Sequence, residues 1–344
     1  MSARHSPAII DWHTHWLSER TLDLLERRTQ APRVVRDAQG QRFLQGTGPL
    51  RAGLGLPIGA GWSDIDTRIA HADAVGVQRH VISWPTTIGF DGVLDADEAI
   101  ALYRTWNEDL AAQVARHPDR LIGLAALPTA DVDWAARELE RAHRDYGFIG
   151  GTLPVDAFLT VEGARALAPL FKVAQRHGSH LYLHTGPAHR AIPGQDSFRV
   201  RADLPGPRWL EDAGSHFAAA AITLALGDVL DPYPDVSVQI AMLGGTLPYL
   251  VEALAHRAQL QGGPDPRPKL RRLYYDIGLW GVGPSAIQLA VRAFGADRVL
   301  FGSDYPLIQS EVILDQVRAA LPPEQARQVL AAGGELLDRL RQAA

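Results

Sequence analysis

Three histidines and one aspartate carry the clearest chemistry in this sequence. His13 and His15 lie two residues apart at the end of the apolar run Ile-Ile-Asp-Trp-His-Thr-His, which spans residues 9–15. In a strand, residues two apart point to the same face, so Asp11 projects with both histidines. His184 ends a later apolar run, and Asp304 ends the run before Tyr305 and Pro306. We therefore expect these side chains to meet at one edge of a parallel sheet.

Three imidazoles and one carboxylate are a ligand set for one divalent metal ion. Nitrogen and oxygen donors in this ratio favour zinc, with manganese as the alternative, and leave a position for water or substrate. An isolated His-x-His pair is more often a pair of surface or core histidines than a metal site. The placement of His13, His15, His184 and Asp304 at strand ends is what favours the metal interpretation.

The strands that would position these residues recur eight times. Each run has five to nine residues rich in Ile, Leu, Val or Tyr, and helical periodicity separates nearly all of them. The clearest helix covers residues 95–117, with Ala99, Tyr103, Trp106 and Leu110 on one stripe. The runs are residues 8–15, 79–84, 121–128, 148–154, 180–186, 236–244, 273–279 and 299–306.

Alternating strands and helices imply a parallel sheet, because parallel neighbours need a long crossover connection. Eight such units predict an α/β fold that closes into a (β/α)8 barrel of the TIM type. No Gly-x-Gly-x-x-Gly turn follows the first strand to support an open, dinucleotide-binding sheet instead.

Two long connections interrupt this pattern. Residues 31–62 are dense in Gly, Pro and Arg, and they predict a small inserted hairpin or lid after the first strand. Residues 187–208 follow the fifth strand and contain three arginines. Long loops in a compact domain are usually functional or mobile. With no second boundary in the pattern, we expect residues 1–344 to form one domain.

Composition narrows the classes of partner. The 344-residue chain has a net charge of -5 and no dense basic segment, so neither nucleic acid nor an anionic membrane is an expected partner. The absence of cysteine excludes thiolate catalysis, cysteine-ligated metals and disulfides. No signal-like or transmembrane run occurs, which favours a cytoplasmic protein that acts on a small molecule.

The motifs resemble those of a known enzyme family across nearly the whole chain. The sequence is similar to the branch of the amidohydrolase superfamily typified by aminocarboxymuconate-semialdehyde decarboxylase and the γ-resorcylate and 5-carboxyvanillate decarboxylases. The resemblance implies a single divalent ion on His13, His15, His184 and Asp304, and a cytoplasmic homo-oligomer, often a dimer. The matching motifs are residues 11–15, Asp66 and Arg68 with 73–77, Asn107 with 116–120, 125–128, the strand of His184, 243–248 and 302–306.

One position departs from the family pattern. Members usually carry a histidine at the end of the sixth strand, whereas this chain has Met242 before Leu243, Gly244 and Gly245. A thioether cannot serve as a general base and is a poor ligand for a hard or borderline cation. Three interpretations remain open: the chemistry needs no base there, the substitution is inactivating, or another group takes the role. The best substitute in the sequence is His216.

These features favour decarboxylation of a small aromatic or unsaturated carboxylic acid over hydrolysis of a lactone, amide or ester. Decarboxylation tolerates the loss of a base at Met242, and Asp304 could supply the proton to carbon. A catalytically impaired family member is the third alternative. Asp276, on the seventh strand, is a further acid with no assigned role. Candidate substrate contacts are Arg190, Arg199, Arg201, Trp16 and Trp84, with Arg42, Arg51, Trp12 and Trp280 as further candidates.

Overall fold

The computed structural model describes residues 8–47, 55–195 and 203–343, and its centre is a sheet of eight parallel strands. In chain order the strands are β1 (Ile10–His15), β2 (Arg33–Arg36), β3 (Arg42–Gln45), β4 (Leu56–Pro57), β5 (Arg79–Ser83), β6 (Leu121–Ala126), β7 (Gly150–Pro154), β8 (His180–His184), β9 (Ser237–Ile240), β10 (Tyr274–Asp276) and β11 (Val299–Leu300).

The large sheet takes its strands in chain order, from β1 through β5 to β11. The chain closes the sheet on itself after β11. The Trp12 amide donates to the Phe301 carbonyl at 2.9 Å, and the Asp304 amide donates to the His13 carbonyl at 2.8 Å. The structure therefore confirms the predicted (β/α)8 barrel, with all eight predicted strands in place.

Helices follow the strands and cover the outside of the barrel. They are α1 (Glu19–Glu26), α2 (Ala60–Ser63), α3 (Ile65–Val75), α4 (Ala96–Arg116), α5 (Val132–Tyr146), α6 (Val161–Ala166), α7 (Ala168–His177), α8 (Pro205–Leu226), α9 (Leu247–Leu260), α10 (Arg267–Leu270), α11 (Pro284–Phe294), α12 (Ser310–Ala320) and α13 (Pro323–Ala343). None of the helices in the described ranges is both long and apolar enough to span a bilayer.

Local sequence explains where these helices begin and end. The Asp95 side chain accepts a hydrogen bond from the Glu98 amide and so caps α4, and Asp131 caps α5 in the same way through the Trp134 amide. Gly147 ends α5 in the left-handed region, where a residue with a Cβ would be strained. With these caps in place, α4 packs against β6, and α5 packs against β6 and β7.

The insertion after β1 is a three-stranded antiparallel sheet in the order β2, β3, β4, rather than a two-stranded hairpin. Arg42 of β3 pairs with Glu19 at 2.5 Å and with Asp23 at 3.1 Å, and these ion pairs tie the insertion to α1. The guanidinium group of Arg42 is thus engaged with acidic side chains of the chain itself. Arg51, the other arginine considered in this segment, lies outside the described residues.

Candidate metal centre

The carboxyl ends of β1 and β8 and the segment after β11 bring the predicted ligands together. The Nε2 atoms of His13, His15 and His184 lie 3.0 to 3.2 Å from one another. Oδ1 of Asp304 lies 3.3 Å from Nε2 of both His13 and His15. Ligand atoms about 2.1 Å from one ion are themselves about 3.0–3.4 Å apart, so the spacing matches a shared cation.

Each imidazole is held by its other nitrogen. Nδ1 of His13 lies 2.7 Å from the Asp276 carboxylate, and Nδ1 of His15 lies 3.3 Å from the Ser83 carbonyl. Nδ1 of His184 lies 3.0 Å from the Thr86 hydroxyl, whose own proton goes to the Thr185 carbonyl. All three partners are acceptors, so each Nδ1 carries the proton and each Nε2 presents a lone pair.

Electrostatics support the same assignment. Burial disfavours charged imidazoles and, with the neighbouring histidines, lowers the pKa of His15 and His184. The Asp276 and Asp304 carboxylates outweigh burial at His13 and raise its pKa to about 10, so a cation that binds there would displace a proton from Nε2 of His13. Oδ1 of Asp304 is buried and has no hydrogen-bond donor among the described residues. Three lone pairs and one carboxylate oxygen without a donor fit a divalent cation.

Asp11 fixes the join between the first and last strands, just below the ligands. Its Oδ1 accepts hydrogen bonds from the Ser303 and His13 amides, and its Oδ2 accepts from the Ser303 and Ser310 hydroxyls. Burial raises the pKa of Asp11 to about 6 in spite of these hydrogen bonds. Asp11 does not belong to the four-residue cluster of His13, His15, His184 and Asp304. Its role is to hold β1 against the segment that carries Asp304.

Met242 occupies the end of the sixth barrel strand in a strained turn. Met242, Leu243, Gly244 and Gly245 have consecutive positive φ angles of 55°, 56°, 72° and 61°. A left-handed conformation costs about 1–2 kcal/mol for each residue that is not glycine. The Met242 sulfur accepts a hydrogen bond from the Leu279 amide at 3.1 Å. The turn therefore holds the thioether at the rim.

The strand-end ligands open onto a cavity of about 300 Å³. Its wall is almost entirely apolar, and the polar groups on it are His15, Asp304 and Thr87. Neither an arginine nor a lysine is among the lining residues that the structure describes. The other lining residues are Leu56, Trp62, Pro85, Ile88, Trp209, Met242, Leu279, Leu307 and Ile308. The cavity can therefore enclose a small flat molecule with one end at the cluster.

The two predicted tryptophan contacts lie elsewhere. Trp16 is buried and donates from its indole nitrogen to the Ser63 carbonyl at 3.0 Å, and Trp84 packs in an aromatic cluster with Phe90, Tyr103 and Trp106. Neither tryptophan lines the cavity. Arg190 is exposed. Arg199 and Arg201 lie outside the described residues, so their placement stays a prediction.

His216, the predicted substitute base, lies on α8 and lines a second cavity that adjoins the first. Its Nδ1 is 2.7 Å from Oδ1 of Asp156. Burial opposes protonation of the ring, but the Asp156 carboxylate outweighs it and raises the pKa of His216. The two cavities share Thr87 and Trp209, whereas His216 itself is not among the residues that line the first cavity.

Three residues of the site had no assigned role in the sequence. Asp276 ends β10 and accepts a hydrogen bond from Nδ1 of His13. Its place at a strand end could have indicated that it lies near the metal ligands. Trp62 and Trp209 wall the cavity from the segment after the insertion and from α8. No periodic signal distinguishes these two from the other tryptophans, because the helices that carry them, α2 and α8, follow long connections whose path the sequence pattern does not specify.

Comparison with known proteins identifies the class to which this barrel belongs. The sequence model of a family described as Amidohydrolase matches residues 10–332. Over 259 residues the chain is 30% identical to the gamma-resorcylate decarboxylase of Rhizobium radiobacter, which spans 70% of this chain and 76% of the relative. The chain belongs to the amidohydrolase family, which confirms the resemblance seen in its motifs and identifies it as an enzyme.

Solved structures share the fold over the full length. Metarhizium anisopliae IDCase, in its apo form, superposes with a TM-score of 0.78 at 21% identity and covers 100% of both chains. A 5-carboxyvanillate decarboxylase from Novosphingobium aromaticivorans, complexed with manganese and 4-hydroxy-3-methoxy-5-nitrobenzoic acid, has a TM-score of 0.70 at 19% identity. That match covers 98% of this chain and 97% of the decarboxylase.

Proposed function

We propose that this chain is a metal-dependent, non-oxidative decarboxylase of a small aromatic or unsaturated carboxylic acid. The observation that carries the proposal is the apolar cavity of about 300 Å³, which opens on His15 and Asp304 and has Met242 on its wall. Met242 places a thioether on this wall; a thioether cannot take a proton from an attacking water, and decarboxylation does not require that step. The relative from Rhizobium radiobacter is named a gamma-resorcylate decarboxylase, which supports the same reaction class.

We propose that His13, His15, His184 and Asp304 hold one divalent ion, with zinc as the first choice and manganese as the alternative. Such an ion would supply a Lewis acid that binds the substrate carboxylate or a neighbouring hydroxyl or oxo oxygen. Three nitrogens and one oxygen suit either metal. The manganese in the 5-carboxyvanillate decarboxylase complex supports the alternative.

The apolar wall contributes to the reaction by excluding water. A carboxylate is strongly hydrated, and carbon dioxide is neutral, so an environment without water disfavours the starting acid more than the product. Trp62 and Trp209 offer flat surfaces for an aromatic ring. The side chain of Met242 completes this wall without bringing a polar group into it.

Asp304 is the residue placed to move a proton. Its Oδ1 has no hydrogen-bond donor among the described residues, and the residue lines the cavity. As the bond to the carboxyl carbon breaks, its electron pair stays on the substrate carbon, and that carbon takes a proton. We propose that Asp304 collects this proton from the substrate or solvent and delivers it to the carbon.

Charged contacts outside the cluster stay proposals. Arg199 and Arg201, in the segment after β8, are proposed to approach the substrate carboxylate, because guanidinium groups bind carboxylates in a bidentate manner. Arg190 is exposed and is therefore a weaker candidate for this contact with the substrate carboxylate. We further propose a cytoplasmic homodimer, a state that size-exclusion chromatography with light scattering would test at micromolar concentration.

Metal analysis and carbon dioxide detection test the reaction class together. The purified protein should contain about one equivalent of zinc or manganese and should release carbon dioxide from members of a panel of hydroxybenzoates and muconate semialdehydes. Turnover of lactones, amides or esters with incorporation of ¹⁸O from solvent would instead show a hydrolase. Tight binding of metal and acid without any product would show an impaired enzyme, and either result would overturn the proposal.

A further inference from the structure

We call the cavity of about 300 Å³ that opens on His15 and Asp304 the metal cavity. A second cavity, of about 240 Å³, adjoins it. We call it the side cavity. Thr87 and Trp209 line both cavities, and the Thr87 hydroxyl lies 3.4 Å from Nδ1 of His184. A molecule bound at the four-residue cluster could therefore extend past these shared walls. The remaining residues of the side cavity are Thr47, Asp156, Thr185, Gly186, Pro187, Asp212, Ala213 and His216.

The side cavity differs from the metal cavity in its polarity. Three threonine hydroxyls, two carboxylates and one imidazole face it, whereas the metal cavity is walled by apolar side chains apart from the cluster and Thr87. Asp156 pairs with His216 at 2.7 Å, which leaves Asp212 as the carboxylate whose charge this pair does not balance. Taken together, these three described groups carry a net negative charge when the His216 ring is protonated, and a larger one when it is neutral.

Two buried polar atoms in this cavity lack a hydrogen-bond partner within the described ranges, namely Oγ1 of Thr185 and Oδ2 of Asp212. Thr185 is only 7% exposed, so solvent does not satisfy its hydroxyl freely. A buried polar atom without a partner costs about 1–3 kcal/mol, and such atoms in native proteins call for an explanation. A bound group that supplies the missing hydrogen bonds would provide one.

The chemistry of these atoms defines that group. A carboxylate oxygen can only accept, so Asp212 requires a ligand atom that donates a hydrogen. A hydroxyl or amino group can donate to Asp212, and it can also accept a hydrogen bond from a hydroxyl such as that of Thr185. A second carboxylate has no proton to donate near pH 7 and would be repelled by Asp212.

We propose that the side cavity binds a hydroxyl or amino substituent of the substrate acid and rejects a second carboxylate. The inference rests on the proposed function for the orientation of the substrate, with its reacting carboxylate at the metal cluster. It assigns Asp212 and Thr185 as specificity-determining residues, with His216 and Asp156 as the pair that shapes the wall beside them. Rejection of a second carboxylate would restrict the substrates to monocarboxylic acids.

Binding to the metal-loaded protein tests this assignment directly. Isothermal titration calorimetry would compare benzoate with the three hydroxybenzoates, the three aminobenzoates and the three benzenedicarboxylates, so that the substituent position is scanned. We expect at least one position at which both hydroxyl and amino groups bind roughly 10- to 100-fold tighter than hydrogen, as for a hydrogen bond to a charged group. The dicarboxylate substituted at that position should bind more weakly than benzoate.

Two variants separate the side cavity from general structure. T185V removes the hydroxyl at constant shape, and D212N removes the charge while keeping an acceptor. Both should reduce the advantage of the hydroxyl group to within about threefold of benzoate, and D212N should also relax the rejection of the dicarboxylate. E211Q is the matched control, because Glu211 lies next to Asp212 on α8 but pairs with Arg208 at 2.7 Å. This variant should bind every acid like the parent protein.

Turnover measured on the same panel distinguishes the two proposals. Carbon dioxide release with substituent preferences that are unchanged in T185V and D212N would overturn the side-cavity assignment and leave the decarboxylase intact. Preferential binding that both variants abolish, without carbon dioxide from any acid, would support the side cavity and overturn the decarboxylase. Equal losses of binding for benzoate and its hydroxylated forms would show a structural role for these residues and also overturn the assignment.

Discussion

The metal cluster has polar groups on its barrel side and mainly apolar side chains on its cavity side. On the barrel side, each imidazole donates from Nδ1 to an acceptor, and Asp276 accepts a further hydrogen bond from Gln239 at 2.7 Å. Gln239 in turn accepts from His180 at 2.9 Å, so the polar chain continues down the barrel interior. On the cavity side, tryptophan, leucine, isoleucine and methionine side chains line the same cavity as His15 and Asp304.

This contrast separates positioning from reactivity. The polar interior fixes the tautomer and direction of each histidine, because every Nδ1 proton has one acceptor. On the mouth side, the described lining of the cavity offers a bound carboxylate few hydrogen bonds apart from those of His15, Asp304 and Thr87. Substitutions on the barrel side should therefore change metal affinity, and substitutions on the mouth side should change turnover at constant metal content.

The largest effect is expected from removing a ligand. His184→Ala leaves two histidines and Asp304, and a cluster that loses one of three nitrogen donors should hold the ion far more weakly. We expect carbon dioxide release to fall by at least about 10³-fold, with substoichiometric metal by plasma emission spectrometry. His177→Ala is the matched control, since His177 lies at the end of α7 and pairs with Glu140. Stoichiometric metal in the His184 variant would contradict the assignment.

A smaller effect is expected at Asp276, which contacts the ligand His13 but does not belong to the cluster. Replacing this residue by Ala removes the acceptor that orients His13, and losses of an outer-shell acceptor commonly cost about 10- to 100-fold in metal affinity. Asp276→Asn keeps an oxygen that can accept the Nδ1 proton, so it should retain more affinity than the Ala variant. Competition with a chromogenic chelator measures both. Equal metal affinity in the parent and the Ala variant would contradict the distinction between the barrel side and the mouth side of the cluster.

The barrel side was largely predictable from the sequence, and the reason is geometric. Strands have a period of two, and a barrel places strand ends at one rim, so His13, His15, His184 and Asp304 could be grouped from their positions alone. The same reasoning placed Asp276 at the rim but could not name its partner. That partner depends on which neighbouring ring faces β10 within the closed barrel.

The mouth was poorly predictable, because α2 and α8, the helices that carry Trp62 and Trp209, follow long connections whose path the sequence pattern does not specify. Trp62 and Trp209 line the cavity, whereas Trp16 and Trp84, which lie beside strand ends in the sequence, pack into the buried aromatic cluster. Nothing in the composition of a loop specifies its path. The small sheet β2–β4 was predicted as an inserted hairpin or lid, and its third strand pairs through two residues, a length too short to give a periodic signal.

A moderate effect is expected at Met242, on the mouth side. Met242→His places a polar ring in the apolar wall and offers a competing ligand, so we expect carbon dioxide release to fall about tenfold, equivalent to ~1.4 kcal/mol. Metal content should not fall. Met242→Leu is the control, and it should stay within about threefold of the parent. A rise in turnover in the His variant would show that the methionine is an inactivating substitution. It would also overturn the claim that the apolar wall at Met242 promotes decarboxylation.

The smallest effect on activity is expected at Asp91, which ties together loops around the mouth. Its carboxylate accepts from the Thr129 amide at 2.7 Å, the Thr129 hydroxyl at 3.0 Å and the Tyr103 hydroxyl at 2.7 Å. Burial raises the pKa of Asp91 to about 6, despite these hydrogen bonds. The folded protein thus binds a proton here that the unfolded chain releases near pH 4, so this group's contribution to stability is lost as pH rises from about 4 to 6.

Asp91→Asn removes that titration and keeps an oxygen for Thr129, and its amide can donate to the Tyr103 oxygen. The free energy of unfolding of the variant, relative to the parent, should therefore increase by roughly 2–3 kcal/mol between pH 4 and pH 7, as urea denaturation at each pH would measure. Asp97→Asn, near the start of α4 on an exposed position, should show no such trend. A difference between Asp91→Asn and parent that is constant with pH would mean that the carboxyl titrates normally. The loops around the mouth would then hold an ionised carboxylate as readily as the polar barrel side does, and burial would not distinguish the two regions.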